Sequence, residues 1–237
     1  MKTYIVALFS VCRCILYPGT KIVAASYTFK QGKEIILKIT DDFMQKSSLL
    51  RNEILKTSTG QNDCFVYFKN GSWIRVVIAG ETSRGARSNI LIIDESRLVS
   101  QKIVDTILQP MNAAPRQPGY LDKPEYAHLQ EMNKEFYLSS AFYSASEMYE
   151  KVKAYTANML NPSLNYFVCD LPYQLSVKEG LLMRQQIINK MSEATFSDIT
   201  FSINKTVLIK PIEPLSGVYS CLINYANGET LNNIYIA

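Results

Sequence analysis

Ile90-Leu91-Ile92-Ile93-Asp94-Glu95-Ser96 is the stretch whose reading decides the fold. Four apolar residues, three of them β-branched Ile, predict a short buried strand, and two adjacent carboxylates follow where that strand runs out into solvent. An α/β protein that hydrolyses a nucleotide needs two acids at such a point. The first, Asp94, would hold the Mg²⁺ that bridges the phosphates; the second, Glu95, would orient and deprotonate the attacking water. The plain alternative is a parallel strand whose acids are solvated or cap the next helix.

The flanking sequence bears on that choice. Upstream, Gly80 to Asn89 is a polar loop carrying Arg84 and Arg87. Before it, CFVYF (64–68) and WIRVVIA (73–79) flank Lys69-Asn70-Gly71-Ser72, whose Asn-Gly pair predicts a hairpin. Lys2 to about Leu16 is apolar nearly all round, which suits a helix buried against a sheet, and Pro18-Gly19 stops it. KIVAAS (21–26) reads as a strand. From about Phe29 to Lys56 the pattern is helical, with Ile35, Ile36, Ile39 and Phe43 on one face.

Downstream, a helix is predicted around Gln101 to Leu108, ending near Pro110. Met111 to Lys134, with Pro115, Pro118, Gly119 and Pro124, reads as a long functional or mobile loop. EFYLSSA (135–141) and LNYFVCD (164–170) read as strands. Helices are predicted from about Glu147 to Met159, opened by a Ser144/Glu147 capping box, and from Val177 to Met191. Thr195 to Ala237 is β-rich. Strands that alternate with helices predict an α/β fold with a mainly parallel sheet and helices on both faces.

Composition narrows the function little. The 25 basic and 21 acidic residues leave a net charge of +4, compatible with a nucleic-acid partner but too mild to argue for one. Five cysteines and the single His128 lack metal-ligand spacing, so reduced thiols are expected and a zinc site is not. The opening Met1-Lys2 and YIVALFSVC, with Val23-Ala24-Ala25 as a small-residue cleavage site, also fit a short leader; Arg13 and Lys21 interrupt that pattern.

Taken together, SRGARSNILIIDES (83–96) and EFYLSSAFYSASEMYEKV (135–152) resemble the ATPase domain of the large terminase subunit, the motor that packages DNA into the capsids of tailed bacteriophages and related viruses. The resemblance runs over about Lys2 to Phe201. It implies a P-loop ATPase-like sheet, ATP and Mg²⁺ as cofactors, Asp94 as the metal ligand and Glu95 as the catalytic glutamate. It implies a coupling motif at Ser139-Ser140-Ala141, where a hydroxyl reports the γ-phosphate, and a phosphate-contacting arginine at Arg84 or Arg87. Lys2-Thr3 match the end of the Gly-Lys-Thr that closes a phosphate-binding loop, with Met1 where the last glycine belongs. Gln31 and Lys33 read as polar residues at a helix N-terminus, with DNA or the nucleotide as the other possible contact.

The departure from the family pattern lies at the two ends. The glycine-rich loop, its preceding strand and a nuclease domain are missing, so the resemblance implies a truncated terminase: a partial ATPase domain over 1–194 and a β-rich tail or linker over 195–237. Such a fragment would be an ATP hydrolase only in the intact parent. It would work in the host cytoplasm, in a homo-oligomeric ring, with double-stranded DNA, a portal and a small terminase subunit as partners. ILII and EFYL should then close on each other or leave a gap, with Lys2 displaced from Asp94. A helicase-like nucleic-acid motor and a secreted binding protein with a cleaved leader are the competing readings.

Overall fold

A computed structural model describes residues 2–60, 63–140, 147–169, 173–192, 210–215, 218–224 and 230–236. The chain divides into two compact units, Met1–Ser140 and Ala141–Ala237. The candidate site residues Lys2, Thr3, Arg84, Arg87, Asp94, Glu95, Ser139 and Ser140 all belong to the first unit.

The first unit is built on a six-stranded sheet. Its strands are β1 (Lys21–Ser26), β2 (Ile54–Thr59), β3 (Cys64–Phe68), β4 (Trp73–Ile78), β5 (Ile90–Asp94) and β6 (Lys134–Tyr137), in the order β2-β3-β4-β1-β5-β6. From β4 to β6 the pairing is parallel, and β2-β3-β4 is antiparallel. The expected α/β class and mainly parallel sheet are therefore found. β1 and β5 are buried on both faces, as their unbroken apolar runs require of central parallel strands.

Alternate residues of these strands enter two cores. On one face Ile22, Ala24, Ile90 and Ile92 pack under two helices, α1 (Lys2–Leu16) and α2 (Phe29–Leu37). On the other, Val23, Ala25, Leu91 and Ile93 pack under the helix of residues 101–111. α1 buries Val6, Ala7, Val11 and Cys14 but leaves Tyr4, Ile5, Leu8 and Leu16 exposed, so it is a half-buried helix rather than an enclosed one. α2 approaches the sheet so closely that a Cβ on Gly32 would stand 2.6 Å from Val76 Cγ1 and 2.7 Å from Ser26 Oγ; only glycine fits without displacement.

The Asn70-Gly71 hairpin forms as predicted, with Gly71 at φ 82°. Asn70 does more than turn the chain. Its side-chain amide donates to the carbonyls of Cys14 (2.8 Å) and Ile15 (3.3 Å), satisfying acceptors at the C-terminal end of α1.

One local reading is corrected and two are refined. The helix expected over 29–56 continues from α2 through a π turn at Lys38–Phe43 and ends before Ser47, whose hydroxyl accepts from Leu50 N to cap a new short helix, Ser48–Glu53. Ile54–Thr59 then joins the sheet as β2. The helix beginning at Gln101 ends near Pro110, as predicted, with Met111 its last residue. A π turn at Val104–Leu108 precedes the proline, and this wider turn eases the clash of a proline ring with the preceding backbone. Met111 to Lys134, the long connection, contains two 3-10 turns, Gly119–Asp122 and Pro124–Leu129.

This long connection is tied back by an ion cluster. Glu131 accepts from Arg13 of α1, from Lys134 (2.5 Å) and from Arg116 (3.3 Å), whose side chain is 5% exposed. Partial burial would raise the Glu131 carboxyl, but hydrogen bonds from Lys134 and Arg13, and the charge they carry, hold it down at about 2. Folding is therefore linked to this proton. The unfolded chain takes it up near an ordinary glutamate value and the folded chain only near 2, so the stabilisation is full above that ordinary value and disappears as pH falls through about 2. Glu131→Gln leaves the buried guanidinium of Arg116 without its counter-charge, and a loss of about 3 kcal/mol is expected at pH 7. In urea titrations the gap between wild type and variant should close as pH approaches 2; a gap that persists undiminished at pH 2 excludes this linkage.

In the second unit, Glu147–Met159 is helical as predicted, while Ser144 of its capping box lies outside the described residues. The helix expected over 177–191 is instead two, Tyr173–Lys178 and Arg184–Ser192, separated by a turn in which Gly180 has φ 70°. Residues 164–169 do not form the expected strand. Tyr166 packs edge-on against Tyr155 (4.9 Å between ring centroids), so this segment lies along the preceding helix instead of entering a ladder. The β-rich tail forms a separate antiparallel sheet of Lys210–Leu215, Val218–Asn224 and Thr230–Ile236.

Candidate active site

Asp94 ends β5 at the edge of the parallel sheet, on the face that Ile90 and Ile92 turn toward α1. The ladder continues past it: Leu138 N donates to Ile93 O (2.9 Å) and Ser96 N to Leu138 O (2.9 Å). Between these fixed points the chain must turn sharply within one residue, and Glu95 does so in the left-handed conformation, φ 47° and ψ 46°. Glu95 is the one non-glycine residue with positive φ among the described residues. A side chain there costs on the order of 1 kcal/mol or more, and such outliers gather at functional sites.

Four groups surround this turn. Lys2, in the first turn of α1, donates from Nζ to Glu95 Oε1 (2.9 Å) and to Ser140 Oγ (3.3 Å). Arg97 Nε donates to Glu95 Oε2 (3.1 Å). The Glu95 backbone N–H donates to Asp94 Oδ1 (3.0 Å). Ser139 Oγ donates to the Ser140 carbonyl (3.0 Å).

The two carboxyls are pushed apart. Burial raises Asp94, which the Glu95 N–H and the charge of Lys2 offset only in part. Burial acts on Glu95 in the same direction, but the hydrogen bond and charge of Lys2, joined by Arg97, prevail and leave it below the usual carboxylate range. One acid is thus held ready as an anion beside another that ionises less readily, the pattern expected where two adjacent acids take different roles.

Of the residues selected from sequence, the structure gathers Lys2, Asp94, Glu95 and Ser140, with Ser139 adjacent. β5 and β6 close directly on each other. The expected displacement of Lys2 from Asp94 is not found: α1 places Lys2 on Glu95, close enough for its charge to act on Asp94. Thr3 is half-buried in the same first turn. Arg84 and Arg87 are not drawn into this cluster. Arg84 is exposed and paired with Glu81 (2.7 Å), and both arginines line a shallow hollow with Gly85, Thr106, Ile107 and Pro110. Gln31 closes a capping arrangement with Thr28, the N-cap of α2, as the helix-terminus reading had it. Lys33 lies half-buried near Cys64, whose thiol burial pushes up to about 11. Arg97 was overlooked in the sequence. Its signal was present, a cation two residues beyond an acidic pair.

No family model and no curated protein matches the chain. Solved structures do. The large terminase from a thermophilic bacteriophage superposes with a TM-score of 0.51 at 11% identity, over 80% of this chain and 43% of that one. The same terminase in complex with ADP gives 0.44 at 10% identity, over 92% and 57%. The large terminase ATPase domain of Thermus phage P74-26 gives 0.43 at 13% identity, over 60% and 55%. The chain thus spans about half the length of these structures. The first likeness is one of fold, a mixed α/β sheet, and it agrees with the class read from the sequence.

Proposed function

We propose that this chain is part of a DNA-packaging ATPase of the large terminase type, which couples ATP hydrolysis to movement of double-stranded DNA into a viral capsid. The observation that carries this reading is the junction of β5 and β6. There a strained, ionised Glu95 stands beside Asp94, and Lys2 donates both to Glu95 and to the hydroxyl of Ser140.

The donor set fits Mg²⁺ bound together with a nucleotide. Among the described residues no group of three or more acidic, His or Cys side chains could hold a metal by itself. Mg²⁺ does not need one, since it takes one or two carboxylates and completes its shell with water and phosphate oxygens. Asp94 would be its protein ligand, and the ion's part is to neutralise charge developing on the phosphoryl oxygens. Glu95, anionic at neutral pH, would accept a proton from the attacking water. Lys2 and Thr3 would meet phosphate oxygens, and the Lys2 ammonium already stands in the cluster. Ser139 and Ser140, on the segment that continues β6, would register whether the γ-phosphate is present. Arg84 or Arg87 would serve a neighbouring subunit of a ring, and by the same likeness the partners include a portal and a small terminase subunit in the host cytoplasm. No helix among the described residues is long and apolar enough to cross a membrane.

The test is phosphate release from ATP by the intact protein that contains these residues, with and without double-stranded DNA. Magnesium-dependent turnover that rises several-fold with duplex DNA is expected. Hydrolysis indifferent to DNA, or stimulated only by single strands with unwinding, overturns the packaging assignment.

A further inference from the structure

The antiparallel side of the sheet carries a second surface. Lys56 lies opposite Tyr67 and Ser58 opposite Phe65 between β2 and β3; Tyr67 lies opposite Trp73 and Phe65 opposite Arg75 between β3 and β4. Strand alternation places these six residues on one face, while Cys64, Val66, Ile74 and Val76 enter the core on the other. Of the six, Trp73 packs against the core beneath the helix of residues 101–111, and Phe65 is buried. Lys56 and Arg75 are exposed, and Tyr67 and Trp73 are half-buried.

The chemistry of this face is narrow. Arg75 stands 5.2 Å from the centroids of both Tyr67 and Trp73, and Lys56 stands 5.6 Å from that of Phe65. Phe65 and Tyr67 meet edge-on at 4.8 Å. Among the described residues no carboxylate occupies a paired position on this face, so the two cations rest on rings rather than on acids. Rings interleaved with uncompensated cations on an open sheet complement a ligand that offers both negative charge and flat π faces. A single-stranded nucleic acid offers both. A duplex buries its base faces in its own stack, and an acidic peptide would satisfy the cations but leave the rings unused.

We propose that the open face of β2-β3-β4 binds single-stranded nucleic acid, with phosphates on Lys56 and Arg75 and bases stacked on Tyr67 and Trp73. Arg75 exchanges its place over the rings for a phosphate as a base moves in. The surface shares no residue with the acidic pair, so either reading can fail without the other.

Trp73 is the only tryptophan of the chain, and its emission reports on this face alone. A mixed-sequence 20-nucleotide single strand added at low salt should quench it saturably, with the quench reversed at high salt. The same strand annealed into a duplex should bind at least about tenfold more weakly. Lys56→Gln combined with Arg75→Gln, both at exposed positions, should weaken the single strand about tenfold or more, and Tyr67→Leu should do so by a similar factor, as loss of one stacked base predicts. Unchanged Trp73 emission at saturating strand, equal affinity for the duplex, or equal quenching by polyglutamate overturns the proposal. The last outcome would mark the face as a dock for acidic protein.

Discussion

Glu95→Gln is expected to lower ATP turnover by the intact protein about 10³-fold while leaving magnesium-dependent ATP binding within a few-fold of wild type. The amide preserves length and shape, and its oxygen can still accept from Lys2 Nζ, which lies 2.9 Å from Glu95 Oε1. What it loses is the capacity to take a proton. Asp94→Asn acts differently: it removes the anionic ligand, so nucleotide affinity in the presence of Mg²⁺ should fall together with turnover. Equal loss of binding in the two variants, by calorimetry, would contradict the division of roles. The charges around Glu95 add a pH signature. Because Lys2 and Arg97 hold this carboxyl below its usual range, its anionic form persists on acidification, and the acid limb of the turnover profile should lie below that of an ordinary glutamate.

The second large effect concerns the loop before β5. In an assembled ring, an arginine that reaches a neighbour's γ-phosphate stabilises charge in the transition state and is worth about 10³-fold or more in turnover. The structure separates the two candidates. Arg84 is engaged by Glu81 across a single turn, whereas Arg87 is exposed and makes no hydrogen bond or ion pair among the described residues. Arg87→Ala should therefore cost more DNA-stimulated hydrolysis than Arg84→Ala. Subunits carrying Arg87→Ala should also depress the activity of wild-type subunits mixed with them. Normal DNA-stimulated turnover in both variants would rule out either arginine as the trans-acting group.

Much of the first unit could be read from short-range patterns. Asn70-Gly71 dictates its hairpin because few other dipeptides accept the turn, and ILIID declares a buried strand through its unbroken apolar run. The place where that strand ends was legible for the same reason, since the apolar run gives way there to two adjacent acids. The failures share a different cause. Tyr166 and Phe167 have the composition of a strand, but a ladder needs a partner, and Tyr155 offered a ring instead. Residues 54–56 continue a helical pattern, yet Ile54 gains more as the neighbour of Phe68 in the sheet. The contacts of Arg13 and Arg116 with Glu131 are ones that sequence spacing reveals poorly. Glu131 stands 118 residues from Arg13, and no periodicity carries across such a distance.

The ladders around β5 also govern how this sequence can drift in length. Ser26 is in register with Asp94, and Ile93 with Tyr137, so one residue inserted between Ile90 and Asp94 would reverse the faces of all that follow it. The carboxylate of Asp94 would then turn from α1 toward the opposite layer, and Ile93 would take its place. Residues 122–130, by contrast, are exposed throughout and belong to no ladder. Insertions and deletions can accumulate there, between Arg116 and Glu131, without moving an atom of the acidic turn. Descendants of this chain should differ in length in that connection and keep a constant count from Lys21 to Ser26 and from Ile90 to Ser96.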